Sequence, residues 1–310
     1  MKKTICLSLF CLSLFCLLVS PPVGQQAHAG ETPETILIRQ ALSNDVSGYR
    51  RGDSELTLKT YDERFVAYQG HANGDPRAWT ILHENRDALA KQINADLETH
   101  RYEITRTIPK ISVRTTHAFA TTIDSGQVID RASGATTPVQ IQRLWTFLKI
   151  EDQWLATAMV SDLGDSLLPA ADSGTHDGIS DLLQRESQAW EGGNASDILG
   201  LFDEHFTGYN GGMTFKPGTW TIAFSGIEEM GKWLDKRLPY TQYDLDRKIL
   251  HSAVGPSGNE GLAVTHETVG IQHTAGPAKH QKERYVLWTM SRRSGSWKIT
   301  NMLYDIGLID

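Results

Sequence analysis

Three residues near the C-terminal end of the chain carry side chains suited to proton transfer. His266 stands in "LAVTHETVG", while Glu283 and Tyr285 lie two apart in "KERYVLWT". An imidazole titrates near neutrality and serves as a base, and a carboxylate with a phenol would complete an acid–base set. Period-two alternation places Thr265 and Glu267 on the face opposite His266. His266 therefore reads either as a base turned to a pocket or as a histidine at a sheet edge, and the second reading is favoured. His117 and His251 also sit near strands and carry less weight. "HETVGIQH" spaces its two histidines seven apart, not four, and alternates like a strand, so it cannot put both imidazoles on one helical face; no metal site is expected. "NGGMTFKPG" lacks the helix start and the Lys-Ser/Thr ending of a phosphate loop. No Ser-His-Asp arrangement is legible, and no cofactor is expected. Asp162 and Asp305 each precede a glycine by two residues, a spacing that suits a turn better than a reaction centre.

The elements that must hold these residues are written twice. "KTYDERFVAYQGH" begins at residue 59 and "GLFDEHFTGYNGG" at residue 200. Tyr49 matches Trp190, Tyr61 matches Phe202 and Trp79 matches Trp220, all at an offset of 141. Later the offset is 143: Trp145 matches Trp288, Trp154 matches Trp297, Asp162 matches Asp305 and Gly164 matches Gly307. A drift of two residues is what loop insertions produce, and a repeat of this length decides the architecture. "LPAADSGTHDG", residues 168–178, has the small, polar composition of a linker. The organisation expected is a first domain over 31–167 and a second over 179–310.

Each copy reads helices first and strands later. Thr32 is placed to cap a helix that has Pro33 at its first position and buries Ile38, Leu42 and Val46 on one stripe. The counterpart buries Ile179, Leu182, Leu183 and Trp190. A short helix follows Asn194, and a third is expected from Ser225, with Glu228 completing a capping box. Beyond these the pattern alternates through four or so long strands, the last two forming a hairpin at "EDQ" and "SGS". Helices segregated before a curved antiparallel sheet make an α+β domain.

The first 29 residues carry Lys2 and Lys3, an apolar run from Ile5 to Val19, and "AHA" before Gly30. They read as a secretory signal peptide cleaved after Ala29, hence an exported protein, periplasmic or secreted. Cleavage would remove Cys6, Cys11 and Cys16, every cysteine present, and with them disulfide and thiolate chemistry. Loss of the two lysines leaves 28 basic against 37 acidic residues, a formal charge of −9. No basic cluster points to nucleic acid or to a membrane surface after cleavage.

The local text, aromatic-x-x-Gly-Asp/Asn, then "L..FDEHFTGYNGG", then "W.I..M.YD.G", resembles the nuclear-transport-factor-2-like superfamily, in its SnoaL-like and ketosteroid-isomerase-like branch. The resemblance spans both copies. It implies two tandem cone-shaped α+β barrels, each a curved sheet around its helices with one apolar pocket. It also implies pairing through sheet faces, either within this chain as a pseudo-dimer or between copies as a homo-oligomer. Where relatives carry a carboxylate base this chain has Gln69 and Asn210, and an amide accepts no proton, so isomerase chemistry of that type is disfavoured. The reading favoured is a protein that binds a small apolar or cyclic molecule. Tyr49, Trp79, Gln142, Trp190, Asn210, Trp220 and Asp305 are its candidate contacts. Two alternatives stay open: an acid–base enzyme of the isomerase, dehydratase or hydrolase type using His266, Glu283 and Tyr285, and a module that meets a protein partner through its sheets.

Overall fold

The computed structural model describes residues 31–71, 79–163, 176–214, 219–274, 276, 279–292 and 295–306. The signal-peptide expectation, Gly164, Gly307 and most of the 168–178 linker lie outside the described residues. In the first copy, α1 (Pro33–Arg51), α2 (Ser54–Leu58) and α3 (Arg86–Thr99) accompany β1 (Tyr61–Gln69), β2 (Thr80–His83), β3 (His100–Arg114), β4 (His117–Asp130), β5 (Thr136–Ile150) and β6 (Gln153–Ser161). The second copy repeats the order. Its helices are α4 (Asp177–Gly192), α5 (Ala195–Leu199) and α6 (Ile227–Arg237). Its strands are β7 (Phe202–Asn210), β8 (Thr221–Ser225), β9 (Thr241–Val254), β10 (Glu260–His273), β11 (Lys279–Ser291) and β12 (Lys298–Ile306).

The duplicated phrases have local physical causes. In "YRRGD" and "WEGGN", Gly52 and Gly193 end the first helix at φ 69° and 65°, a left-handed backbone that favours glycine. Asp53 and Asn194 then cap the next helix, accepting from Leu56 N and Ser196 N, both at 2.9 Å. The third helix departs from expectation. Ser225 is the last residue of β8, Gly226 precedes the helix, and Glu229 rather than Glu228 reaches back to accept from Ser225 N at 2.8 Å. At the equivalent place in the first copy, Asn85 caps α3 by accepting from Ala88 N at 2.8 Å.

Each sheet has six strands, not four, in the orders β2-β1-β6-β5-β4-β3 and β8-β7-β12-β11-β10-β9. Two strands were missed in each copy: the short β2 or β8, and the repeated phrase itself, "YDERFVAYQ" and "FDEHFTGYN", which lies parallel to the last strand. The sheets are therefore mixed, antiparallel at every other pairing. At the end of that strand Gly70 and Gly211 donate to Ser161 O and Tyr304 O, both at 2.7 Å. A Cβ at either glycine would come within 2.6 Å of the carbonyl oxygen of Asp162 or Asp305. Those aspartates have φ of 59° and 56°, a conformation aspartate tolerates, and they end the last strand.

Each sheet closes over its own helices around its own core. Ile38, Leu42, Leu89, Ile93 and Trp145 belong to the first, and Ile179, Leu182, Met230, Leu234 and Trp288 to the second. A third cluster draws on both sheets: Val66, Tyr68, Phe119 and Leu144 pack with Tyr209, Leu262, Leu287 and Leu303. Polar contacts fasten its edges. Arg114 donates to Ile222 O at 2.9 Å and pairs with Glu229, Ser225 Oγ donates to Arg114 O at 2.7 Å, and Glu84 accepts from Ser257 N at 2.9 Å.

Candidate functional site

The helix-facing side of each sheet, where the resemblance implies an apolar pocket, holds a buried ion network. In the first copy Arg106 on β3 donates to Asp45 of α1 at 2.7 Å and to Asp124 of β4 at 2.6 and 2.7 Å. A further donor goes to Leu42 O at 3.0 Å. Arg143 adds a second cation to Asp124, and Tyr61 donates its hydroxyl to Asp45 at 2.6 Å. The second copy builds the same device from other residues. Arg247 on β9 joins Glu186 of α4 and Glu267 of β10, each at 2.6 Å, and donates to Leu183 O at 2.6 Å. Arg284 approaches Glu267 at 2.8 Å. Each central arginine lies over a buried tryptophan, Arg106 over Trp145 and Arg247 over Trp288. Those indoles donate to Thr122 and Thr265, both at 2.9 Å.

Register explains where the second arginine of each network comes from. Glu267 sits directly across the strand pair from Arg284, but Asp124 is opposite Ile141, and its second arginine comes from Arg143 two residues further along the same face. Burial pushes the Glu267 carboxyl up, and Arg284 and Arg247 overcome it, holding it below the ordinary range. Glu186 goes the other way: burial outweighs Arg247 and raises it. Burial, with Arg106 beside it, lowers Arg143. Ions this dry are stable only while paired.

The apolar chamber lies elsewhere, between the two sheets. Both copies line a cavity of about 60 Å³ with matched residues: Tyr68 and Tyr209, Trp79 and Trp220, Leu144 and Leu287. The offsets of 141 and 143 relate these pairs, so the chamber straddles the pseudo-twofold relation between the copies. Its polar atoms are few. Trp220 donates its indole N–H to Thr214 O at 3.0 Å. Burial raises the Tyr209 phenol well above its usual value. Its hydroxyl lies near Thr207 and Thr146 with no hydrogen bond of good geometry.

The candidate residues separate accordingly. Trp79 and Trp220, 2% and 4% exposed, meet in the chamber. Tyr49 and Trp190 stay on the helix-facing side, packed edge-on against Tyr102 and Tyr243 at 5.1 and 4.9 Å; Trp190 donates to Glu186 at 2.6 Å. Gln142 accepts from Leu163 N at 3.1 Å through its backbone. Asn210 closes a turn by accepting from Gly212 N at 2.7 Å, and Asp305 pairs with Lys282 at 2.5 Å. Hence neither of these lies in the chamber wall. His266, Glu283 and Tyr285 do gather: His266 is 3.6 Å from Glu283 and its ring centre 5.0 Å from that of Tyr285. They occupy the sheet face turned from the helices, at the edge of the inter-sheet cluster, with the Glu283 side chain 61% exposed. Trp288 bonded to Thr265 fixes the alignment, so the counterpart of His266 is Ile123, one residue after Thr122.

The buried charges escaped the sequence reading, although a signal was present. Asp45 and Glu186, Arg106 and Arg247, Asp124 and Glu267 keep their sign in both copies on otherwise apolar faces.

Several solved structures of nuclear-transport-factor-2-like proteins are each similar in fold to under half of this chain. A ketosteroid isomerase-like protein from Erwinia carotovora atroseptica shares 20% identity over 42% of this chain and 96% of its own, with a TM-score of 0.36. A nuclear-transport-factor-2-like protein of unknown function from Shewanella baltica shares 15% over 44% and 95%, with a TM-score of 0.31. A protein from Nostoc punctiforme described as having a cystatin-like fold shares 14% over 44% and 96%, with a TM-score of 0.33. No protein-family model and no curated protein matches the chain.

Proposed function

We propose that the protein binds one small molecule with an apolar, ring-containing body in the chamber between its two sheets, and that it does so after export. The observation that carries this is the chamber itself: among the described residues, an apolar cavity walled by aromatic and aliphatic residues from both copies. Apolar enclosures with few polar groups are the default ligand sites of proteins, and at about 60 Å³ this one has to widen by side-chain movement to admit a ring. Because both walls belong to one chain, no second chain is needed to complete the site. The acid–base alternative rests on His266, Glu283 and Tyr285, and the exposure of Glu283 leaves that group in water.

Native mass spectrometry of protein purified from its host tests the reading. The expected result is one chain per particle, beginning at Gly30, with one small mass retained or taken up on incubation with toluene. A Leu287→Trp variant, which fills the chamber, should lose that mass. Equal uptake by both proteins would place binding elsewhere.

A further inference from the structure

Next to the apolar chamber is a second, polar cavity of about 80 Å³, which shares Tyr68, Ala158, Thr289 and Asn301 with it. The same repeat builds it. Arg64 and His205 are equivalent at offset 141, His117 and Glu260 at offset 143, and all four line it together with Asp203. The copies have thus placed different chemistry at matched positions: imidazole opposite carboxylate, guanidinium opposite imidazole.

His117 is the informative member. It is only 4% exposed, and its Nδ1 is 3.1 Å from Thr116 Oγ1. Its Nε2 is buried and makes no hydrogen bond of good geometry; the His205 backbone is its nearest partner and is poorly aligned. A buried polar nitrogen left poorly satisfied is costly, and a polar group bound in the cavity would relieve it. Burial pushes the imidazole down to about 4; the His205 backbone opposes the shift, the His205 ring adds to it, and Glu229 opposes it. At neutral pH the ring is uncharged.

Charge around the cavity narrows the partner. Asp203 and Glu260 contribute two carboxylates, and Arg64 is already paired with Asp62 at 2.8 Å. An incoming anion would sit beside these two carboxylates. A hydroxyl, which both donates and accepts, suits a neutral imidazole among serine, threonine and asparagine side chains. We infer that the ligand is an alcohol: its ring occupies the apolar chamber, and its hydroxyl enters the polar cavity to bond His117 Nε2. This rests on the proposed function, because it gives the chamber ligand a polar end.

Three probes of similar size test it on the full-length mature protein: toluene, benzyl alcohol and benzoate, with affinities read by titration. Benzyl alcohol should bind at least as tightly as toluene despite the cost of drying its hydroxyl, and benzoate should bind weakest. His117→Leu should weaken benzyl alcohol roughly tenfold, the worth of one hydrogen bond, and leave toluene within about twofold. Should that variant fail to fold, ¹⁵N-histidine spectra of the unaltered protein decide: the His117 Nε2 signal should move with benzyl alcohol and not with toluene. Toluene binding tighter than that of the alcohol, or no movement of that signal, overturns the alcohol assignment and leaves the chamber intact. If none of the three binds, the chamber reading falls and takes this one with it.

Discussion

The two faces of each sheet make an instructive contrast. The helix-facing side, where the resemblance implies an empty apolar pocket, contains paired ions under tryptophan. The outer face, which on an isolated domain would meet water, supplies an apolar wall. Both faces come from the same strands, read at alternate residues. On β10, Leu262 and Val264 face the other copy, while Ala263, Thr265 and Glu267 face the helices. Duplication explains how this arrangement persists: once a second sheet covers the first, apolar residues on the outer faces are stabilised by burial.

The largest effect should come from breaking an ion network. Arg247→Ala leaves Glu186 and Glu267 buried without their shared partner, and a loss of about 3–5 kcal/mol is expected on chemical denaturation. Replacing Arg247, Glu186 and Glu267 together by apolar residues should recover much of it, because the penalty belongs to the uncompensated charge. A triple variant as unstable as the single one would show that the ions do more than pair.

Next in size is a pH effect from the inter-sheet side. The folded His117 titrates near 4, whereas an ordinary histidine titrates near 6.5. Between those values the unfolded chain takes up a proton that the folded chain refuses, so stability should fall as pH drops from 6.5 towards 4, by at most about 3 kcal/mol. His205, Arg64, Asp203, Glu229 and Glu260 surround the ring, and carboxylates titrate in the same window. The readout is therefore the difference between the natural protein and His117→Gln, whose stability should depend less on pH. Parallel curves would remove His117 from the account.

Filling the chamber sharpens the comparison further. Leu287→Trp should change stability by about 1–3 kcal/mol through crowding and abolish uptake of the apolar probe. A matched insertion on the helix-facing side, Ala263→Leu, should damage stability comparably and leave probe affinity unchanged in the protein that still folds. The smallest effect is expected at the edge. His266→Ala should change stability by less than about 0.5 kcal/mol and leave binding unaltered, since its Glu283 contact is a surface pair; a tenfold loss of affinity would bring the acid–base residues back into the site.

Much of the architecture was legible because the chain states it twice. Two occurrences of Gly52-Asp53 and Gly193-Asn194 mark the same helix-to-helix turn, and paired tryptophans locate the terminal hairpins. The first strand of each copy was less visible. "FVAY" and "FTGY" form short runs buried on both faces, and such runs do not show the alternation by which the other strands were found. The candidate site was half legible. Trp79 and Trp220 were singled out as aromatic residues near a pocket, and they do face a cavity, but the one between the copies. Asn210 and Asp305 were singled out by recurrence, which in their case reflects a turn that each copy has to make.

By itself the sequence determined the duplication, the α+β class and the caps of the first two helices of each copy, because caps, periodicity and offsets are properties of neighbours along the chain. Which face of each sheet became dry, which charges found partners, and that His117 shares a cavity with His205 were decided by tertiary structure. These depend on residues from about 20 to about 240 positions apart, and no local pattern encodes the burial that brings them together.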